Sequence, residues 1–519
     1  RPVKPRGRPR DTALLVGSPD PPDGPALAPG PVGSGTQEHY GGSLLMAAET
    51  VVYFGPPGTG KTATLLARAR EEIDRGTPPD RTAFVAFSRR AAREARGRAT
   101  AELGLDADDL RHWRTLHSTA ARELGVGDRL MDRTHWDRLG EILGLELGDL
   151  DESGRPMSFR RDLGHVVQST YYIRRAVGRS MALQALIVDH GERVGLQVDR
   201  FSRTMAAYKE HHGLMDYADL IEQAQGELDA DVVLIDEAQD LTPAQWAYAD
   251  RLVARARRVY VAGDDDQAVY AWAGADVTRF LALTGERVVL RESYRLPRAA
   301  HSVALSLLDR IRTRQPKTWG PRDLPGTVEH GVPAARVPVE SGEWLLLART
   351  QRALGVWEVL CRSAGVRYIS RGVDSVRPDE VRAIRAWEVL RSGRDPGQTA
   401  LEEALVMAAP ELHPDPTAGP IWHKALVRIP VARRRYYESC LRRDRRALDE
   451  PARVRISTIH GAKGAEAPNV AVLPDITPRI ARGMRTDPDA EHRVWYVAAT
   501  RVLDRLIVSR PDSDLYYSL

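Results

Sequence analysis

Eight consecutive residues, Gly55-Pro56-Pro57-Gly58-Thr59-Gly60-Lys61-Thr62, fit the pattern G-x-x-x-x-G-K-[ST] at every fixed position. The glycines let backbone N–H groups turn inward around phosphate oxygens, and Ala63 continues into a helix whose N-terminus adds its positive dipole end. Lys61 is placed to reach a β/γ-phosphate, and the Thr62 hydroxyl to ligate Mg²⁺. Further on, the apolar run Val232-Val-Leu-Ile235 delivers two adjacent carboxylates, Asp236 and Glu237. Asp236 can hold Mg²⁺ through water, and Glu237 can orient and deprotonate an attacking water. The first pattern, between an apolar strand and a helix, reads as a phosphate site rather than a Gly-rich turn; the second, taken alone, is a solvated strand end. Together they describe a P-loop enzyme that hydrolyses a nucleoside triphosphate, without saying what the energy drives.

A third segment follows another apolar strand: Gly263-Asp-Asp-Asp266-Gln267-Ala-Val-Tyr270-Ala-Trp272-Ala273-Gly-Ala-Asp276. Gln267 could contact the γ-phosphate while Tyr270 and Trp272 lie a few residues beyond. Aromatic faces stack on any base, so such a segment can join nucleotide state to sequence-blind binding of a single strand. By themselves the two aromatics read better as core residues. Arg295 and Arg501, taken singly in an Arg-rich chain, read as surface salt bridges.

These residues need rigid supports. Short buried strands alternate with helical stretches at Val51–Phe54, Ala63–Glu72, Thr82–Phe87 and Arg89–Ala101, which predicts a parallel sheet covered on both faces. Residues 102–205 are polar and helical, without strong strands, and read as an insertion. Strands resume at Val232–Ile235, Val259–Ala262 and Val288–Leu290, and a later α/β region carries Trp344–Ala348, Val454–Thr458, Asn469–Leu473 and Leu506–Ser509. The intervening 372–450 is helical and Arg-rich.

At 519 residues the chain is too long for a single core. No run approaches the ~20 apolar residues that span a bilayer, and no secretory signal opens the chain. Two cysteines, Cys361 and Cys440, suit a reducing compartment, and a cytoplasmic protein is expected. Net charge is +4 (75 minus 71), so any basic track for nucleic acid is local. The basic residues are mostly arginine; the six lysines are Lys4, Lys61, Lys209, Lys317, Lys424 and Lys463. Residues 1–45, with nine prolines and no apolar period, read as a disordered extension, and Met46 as the natural start.

The order of segments resembles the UvrD/Rep family of superfamily 1 DNA helicases. Phe84-Val-Ala-Phe87-Ser88 is similar to the family's Ia segment, Thr115-Leu-His117-Ser118 to Ib, and Gly213-Leu-Met-Asp216-Tyr217-Ala-Asp219-Leu to the element preceding its Asp-Glu motif. Glu292-Ser-Tyr294-Arg295 resembles motif IV, and Leu346-Leu-Ala-Arg349-Thr350 resembles IVa. Arg455-Ile-Ser-Thr458-Ile-His460-Gly-Ala-Lys463-Gly464-Ala-Glu466 resembles motif V, and Tyr496-Val-Ala-Ala-Thr-Arg501 resembles motif VI.

The resemblance implies an α/β fold of two RecA-like P-loop NTPase domains with parallel sheets, each carrying a mainly helical insertion. The first domain would comprise 46–101 and 206–280 with insertion 102–205; the second, 281–371 and 451–519 with a reduced insertion 372–450. It implies ATP and Mg²⁺ as cofactors. Lys61, Asp236, Glu237, Gln267, Arg295 and Arg501 would be catalytic, Tyr294 and Glu466 would join the 55–63 loop around the nucleotide, and Thr62 and Asp236 would hold the metal. Phe87, His117, Tyr270, Trp272, Arg349, Thr458 and His460 would meet the strand. The implied activity is 3′ to 5′ translocation on single-stranded DNA, with unwinding at single-/double-strand junctions, by a monomer that works with replication or repair proteins.

Three positions depart from the family: Gln37 lacks the usual adenine-reading context, Ala273 stands where motif III has arginine, and Ala467 replaces the aromatic after the motif V glutamate. Two rivals remain open, a translocase that strips proteins without unwinding and an NTPase indifferent to DNA.

Overall fold

Apolar, β-branched runs flanked by helices form two sheets. The computed structural model describes residues 49–148, 150, 162–226, 228–410 and 419–519. The extension expected over 1–45, Met46 and Gln37 lie outside them.

The first sheet contains β1 (Glu49–Phe54), β2 (Thr82–Ala86), β3 (Trp113–Thr115), β4 (Val232–Ile235), β5 (Arg258–Gly263) and β6 (Glu286–Val289), in the order β3-β2-β4-β5-β1-β6. Every neighbouring pair is parallel. Alternate residues sort to opposite faces: Val52, Phe54, Val233, Ile235, Val259 and Val261 enter one core, while Tyr53, Val232, Leu234, Tyr260 and Ala262 enter another. This is the period of two, expressed in a sheet covered on both sides.

The second sheet contains β7 (Thr327–Val332), β8 (Trp344–Ala348), β9 (Tyr368–Ser370), β10 (Val373–Asp374), β11 (Val454–Thr458), β12 (Ala467–Leu473) and β13 (Val502–Ser509), in the order β10-β9-β11-β8-β12-β13-β7. It is parallel except for the edge pair β9/β10. Those two strands are joined by Arg371 and Gly372, with φ of 54° and 77°. A two-residue hairpin of this hand needs positive φ at both central positions.

Three boundaries differ from the sequence expectation. The 280/281 division gave Glu286–Val289 to the second domain, yet β6 pairs with β1. The span 102–205 was expected to lack strands, yet Trp113–Thr115 closes the edge of the first sheet beside β2. Finally, the helix Glu192–His212 runs past 205 before the chain returns to the sheet.

The two insertions are built differently. Helices Arg133–Leu143, Leu163–Ala176, Leu183–His190 and Glu192–His212 enclose their own core around Trp136, Tyr171, Phe201 and Met205. Helices Pro378–Arg391, Gln398–Met407 and Val431–Arg443 instead share a core with the second sheet, where Trp387 and Tyr437 join Trp344 and Trp357. Among the described residues no helix is long and apolar enough to cross a membrane.

The first insertion is fastened at Asp216-Tyr-Ala-Asp219. Asp216 caps the helix Tyr217–Gln223 in a reciprocal box with Asp219. Arg175 Nη2 lies 2.9 Å from Asp219 Oδ1 and Lys209 Nζ lies 2.8 Å from Asp216 Oδ2. Burial opposes the Asp219 charge, but Lys209 and Arg175 hold its carboxyl below the usual range. Asp219→Ala removes the box and leaves buried cations short of a partner; a loss of about 3 kcal/mol is expected in denaturant unfolding, with Asp219→Asn milder.

Candidate nucleotide site and nucleic-acid interface

The loop after β1 turns at Gly58 and Gly60, with φ of 72° and 79°, and runs into the helix Lys61–Asp74. Lys61 lies back across the loop: Nζ donates to the Gly55 carbonyl at 3.0 Å, and a Cβ on Gly55 would come within 2.2 Å of Lys61 Cγ. Thr59 Oγ1 donates to the Pro56 carbonyl at 2.8 Å. Thr62 Oγ1 donates to Asp236 Oδ2 at 2.7 Å across to the end of β4. Burial, reinforced by Glu237, pushes the Asp236 carboxyl up to about 6. A sealed carboxylate beside a hydroxyl offers two hard oxygens and an uncompensated charge, which suits Mg²⁺.

Glu237 sits in the left-handed region at φ 55°, with its N–H donating to Asp236 Oδ1 at 2.9 Å. Strain of this kind in a non-glycine residue is held only by its surroundings. Burial works against the Glu237 charge, while Lys61, Lys463 and the Gln239 amide hold its carboxyl low. Glu237 therefore ionises at lower pH than Asp236.

Residues 291–296 cross from the first sheet to the second directly over this loop. Ser293 Oγ donates to the Pro57 carbonyl at 2.7 Å, and the Tyr294 N–H donates to the Gly58 carbonyl at 2.9 Å. Gly58 has no room for a side chain, since a Cβ would lie 2.3 Å from Arg295 Cβ. The Tyr294 ring is 73% exposed and is near Gly60. Arg295 Nε donates to Glu466 Oε2 at 2.6 Å, so two expected nucleotide contacts hold each other.

Arg501 is 1% exposed. It donates through Nη2 to Gln267 Oε1 at 2.7 Å and through Nε to the Val497 carbonyl at 3.0 Å. No carboxylate among the described residues pairs with it. Burial and the nearby Arg295 push its guanidinium down to about 9. A buried cation left this way is a site for an anion.

The expected strand contacts form a row across both units. The Phe87 and Tyr270 rings stack at 6.0 Å with 22° between planes, Tyr270 and Trp272 lie edge-on at 6.5 Å, and Trp272 meets His460 at 6.3 Å. His460 belongs to the second unit, so the row bridges the seam. Burial, with Arg349 and Lys463, pushes the His460 ring down to about 3, leaving it neutral at pH 7. His117 packs edge-on to Tyr217 at 5.8 Å and lines a cavity with Trp272, Ala273 and Arg175.

Two expected contacts are instead held within the protein. Arg349 makes two parallel bonds to Glu491, 2.8 and 2.9 Å. Thr458, at the end of β11, accepts the Gly461 N–H at 3.1 Å.

Lys463, one of the six lysines, stands in the segment that resembles motif V. Its Nζ donates to Asp240 and to the Gln267 carbonyl at 2.8 Å, and stands 5.2 Å from the Tyr270 ring centre. Gln239, which donates to Glu237 at 2.6 Å, stands within the Asp236-Glu-Ala-Gln-Asp240 run but was given no role, and Lys317, beside Asp264–Asp266, gave no motif signal. The trace of Lys317 in the sequence is the scarcity of lysine: three of the chain's six, Lys61, Lys317 and Lys463, stand along this seam.

The model of an AAA domain matches residues 43–273, and that of the UvrD-like helicase C-terminal domain matches residues 438–513. The chain belongs to the UvrD-like superfamily 1 helicases. Within this UvrD-like group, the YjcD protein of Bacillus subtilis is 25% identical over 282 residues, 50% of this chain and 36% of YjcD. The ATP-dependent DNA helicase PcrA of Bacillus subtilis is 24% identical over 304 residues, 51% of this chain and 38% of PcrA. The ATP-dependent DNA helicase UvrD2 of Mycobacterium bovis is 25% identical over 580 aligned positions, 93% of this chain and 80% of UvrD2. The UvrD-like chain thus spans well under half the length of YjcD and PcrA. Its two α/β units are RecA-like domains.

The raised Asp236 carboxyl has a consequence for stability. The folded protein holds that proton up to about 6, whereas an unfolded Asp releases it near 4. Above pH 6 the folded state therefore carries a buried charge at a cost. Asp236→Asn should raise stability in metal-free buffer at pH 7.5 by on the order of 2 kcal/mol. The gain should shrink as pH falls through 6 and vanish near 4, as followed by thermal unfolding.

Proposed function

We propose that this chain is an ATP-driven motor that moves 3′ to 5′ along single-stranded DNA and separates strands at single-/double-strand junctions. The observation that carries the reading is Arg501, buried without a carboxylate partner among the described residues at the seam that the phosphate loop faces. A nucleotide's terminal phosphate would supply the missing negative charge, gripped by Lys61 from one unit and by Arg501 and Arg295 from the other. Such charges stabilise the transferring phosphoryl group. Glu237 orients and deprotonates the attacking water, and Gln267 reports the phosphate to the turn that ends at Tyr270 and Trp272. Thr62 and Asp236 would hold Mg²⁺, whose chemistry is to neutralise charge on the phosphates. Tyr294, beside Gly60, offers its face to the base.

Loss of the terminal phosphate removes the charge that both units grip, and the seam loosens. The aromatic row crosses the same seam, so a strand stacked on Phe87, Tyr270, Trp272 and His460 is displaced when the units part. The 3′ to 5′ direction rests on the likeness of Gly263-Asp-Asp-Asp-Gln-Ala-Val-Tyr270 to that branch of the family.

ATP hydrolysis with and without single-stranded DNA, followed by strand displacement on tailed duplexes, tests the reading. Lys61→Ala should abolish hydrolysis and retain DNA binding. Trp272→Ala should reduce DNA stimulation about tenfold and spare basal hydrolysis; equal loss of both rates would remove its stacking role. Displacement from 5′ tails alone would reverse the direction.

A further inference from the structure

The turn that carries Gln267 opens with three consecutive carboxylates, Asp264, Asp265 and Asp266, all sealed from solvent. One oxygen from each lies within 4.8 Å of the others, close enough for strong mutual repulsion in a low-dielectric interior. Lys317 sits among them. Its Nζ is fully buried, donates to Asp264 Oδ1 at 2.9 Å, lies 2.7 Å from Asp266 Oδ2, and also pairs with Asp265. Arg314 adds two parallel bonds to Asp266, each 2.8 Å, and the Gln315 N–H donates to Asp265 Oδ2 at 2.7 Å.

Lys317 and Arg314 are anchored to the second unit. Ile311 and Trp319, which flank them, belong to its core. The Thr313 N–H donates to Asp489 Oδ2 at 2.8 Å, and Arg493 Nε donates to the Asp265 carbonyl at 2.9 Å. Asp489 and Arg493 stand on the helix Pro488–Ala499, which leads directly to Arg501. The segment therefore braces the helix that leads to one catalytic candidate against the turn bearing another.

The brace also sets an orientation. Asp264 accepts from Lys317 through Oδ1 and from Gln267 Nε2 through Oδ2 at 2.7 Å. A carboxamide has a donor at one end and an acceptor at the other, whereas an ionised carboxylate only accepts. With its Nε2 turned to Asp264, Gln267 presents Oε1 to Arg501 Nη2 at 2.7 Å. Without the lysine, three buried carboxylates cannot all stay ionised, and Asp264 loses the ammonium bonded to its Oδ1, which holds Oδ2 toward the Gln267 amide.

We propose that Lys317 is a positioning residue for hydrolysis, acting through Asp264 to hold the Gln267 carboxamide toward Arg501. The proposal rests on the ATPase reading above. Lys317→Met, nearly isosteric and uncharged, should lower kcat for DNA-stimulated ATP hydrolysis about 10- to 100-fold, with KM for ATP changed less than about threefold. In a Gln267→Ala background it should cost no more than about a further twofold, because the path through Gln267 is already cut. Hydrogen exchange should quicken at residues 264–267 and 497–501 and stay unchanged along 61–74. A kcat at the wild-type level, a full multiplicative loss in the double variant, or unchanged exchange at 264–267 would each overturn it. If Lys317→Met does not fold, Asp264→Asn, which puts a donor where only an acceptor stood, carries the same expectations. A wild-type chain that hydrolyses no ATP would refute the ATPase reading, and the exchange measurement would still decide the link from Lys317 to Gln267.

Discussion

Positive charge gathered at the seam between two sheets is the constraint around which this molecule is arranged. Arg501 is buried among carbonyl, carboxamide and hydroxyl oxygens, and Arg295 adds a second guanidinium whose field lowers the first. Two other buried cations are neutralised in place, Lys317 by three carboxylates and Lys209 by two. The contrast separates charges that hold the fold from charges kept available for a ligand. Desolvation makes an uncompensated cation expensive, and that expense makes the seam responsive to an arriving anion.

The negative side is divided in the same way. Asp236 and Glu237 are adjacent, yet their environments push them apart: burial raises Asp236, and Lys61, Lys463 and Gln239 keep Glu237 ionised. Glu237 adds a left-handed backbone, held in place by its surroundings. Neighbouring carboxylates thereby acquire different tasks, one suited to a cation and one to a proton.

Much of the site was legible because its chemistry is local. The phosphate loop and the β4 carboxylates depend on spacings of one to seven residues, and the runs that deliver them are strongly apolar. Features set by long-range pairing were not legible. Arg349 reads as a strand contact from its motif, but Glu491, 142 residues away, engages both of its arms. β6 reads as a strand at Val288–Leu290, but its place in the first sheet shows only when β1 supplies its partner. β3 has only three residues, and its place follows from Trp113 stacking on Phe84 at 5.2 Å. Composition shows that residues 372–450 are helical, but it does not show that Trp387 and Tyr437 complete the second sheet's core. Ala273, an evident departure in the sequence, is buried at the joint with the first insertion, where a Cβ on the next residue, Gly274, would lie 2.8 Å from Val177 Cγ1.

The peptide that leads from one sheet to the other passes over the phosphate loop, bonded to Pro57 and Gly58 and leaving no space for a Cβ on Gly58. Loop and connector therefore form a single piece of backbone machinery. A ligand that reshapes the loop also re-aims the connector, and with it the whole second sheet, so rotation between the halves can begin at the ligand before any distant side chain takes part.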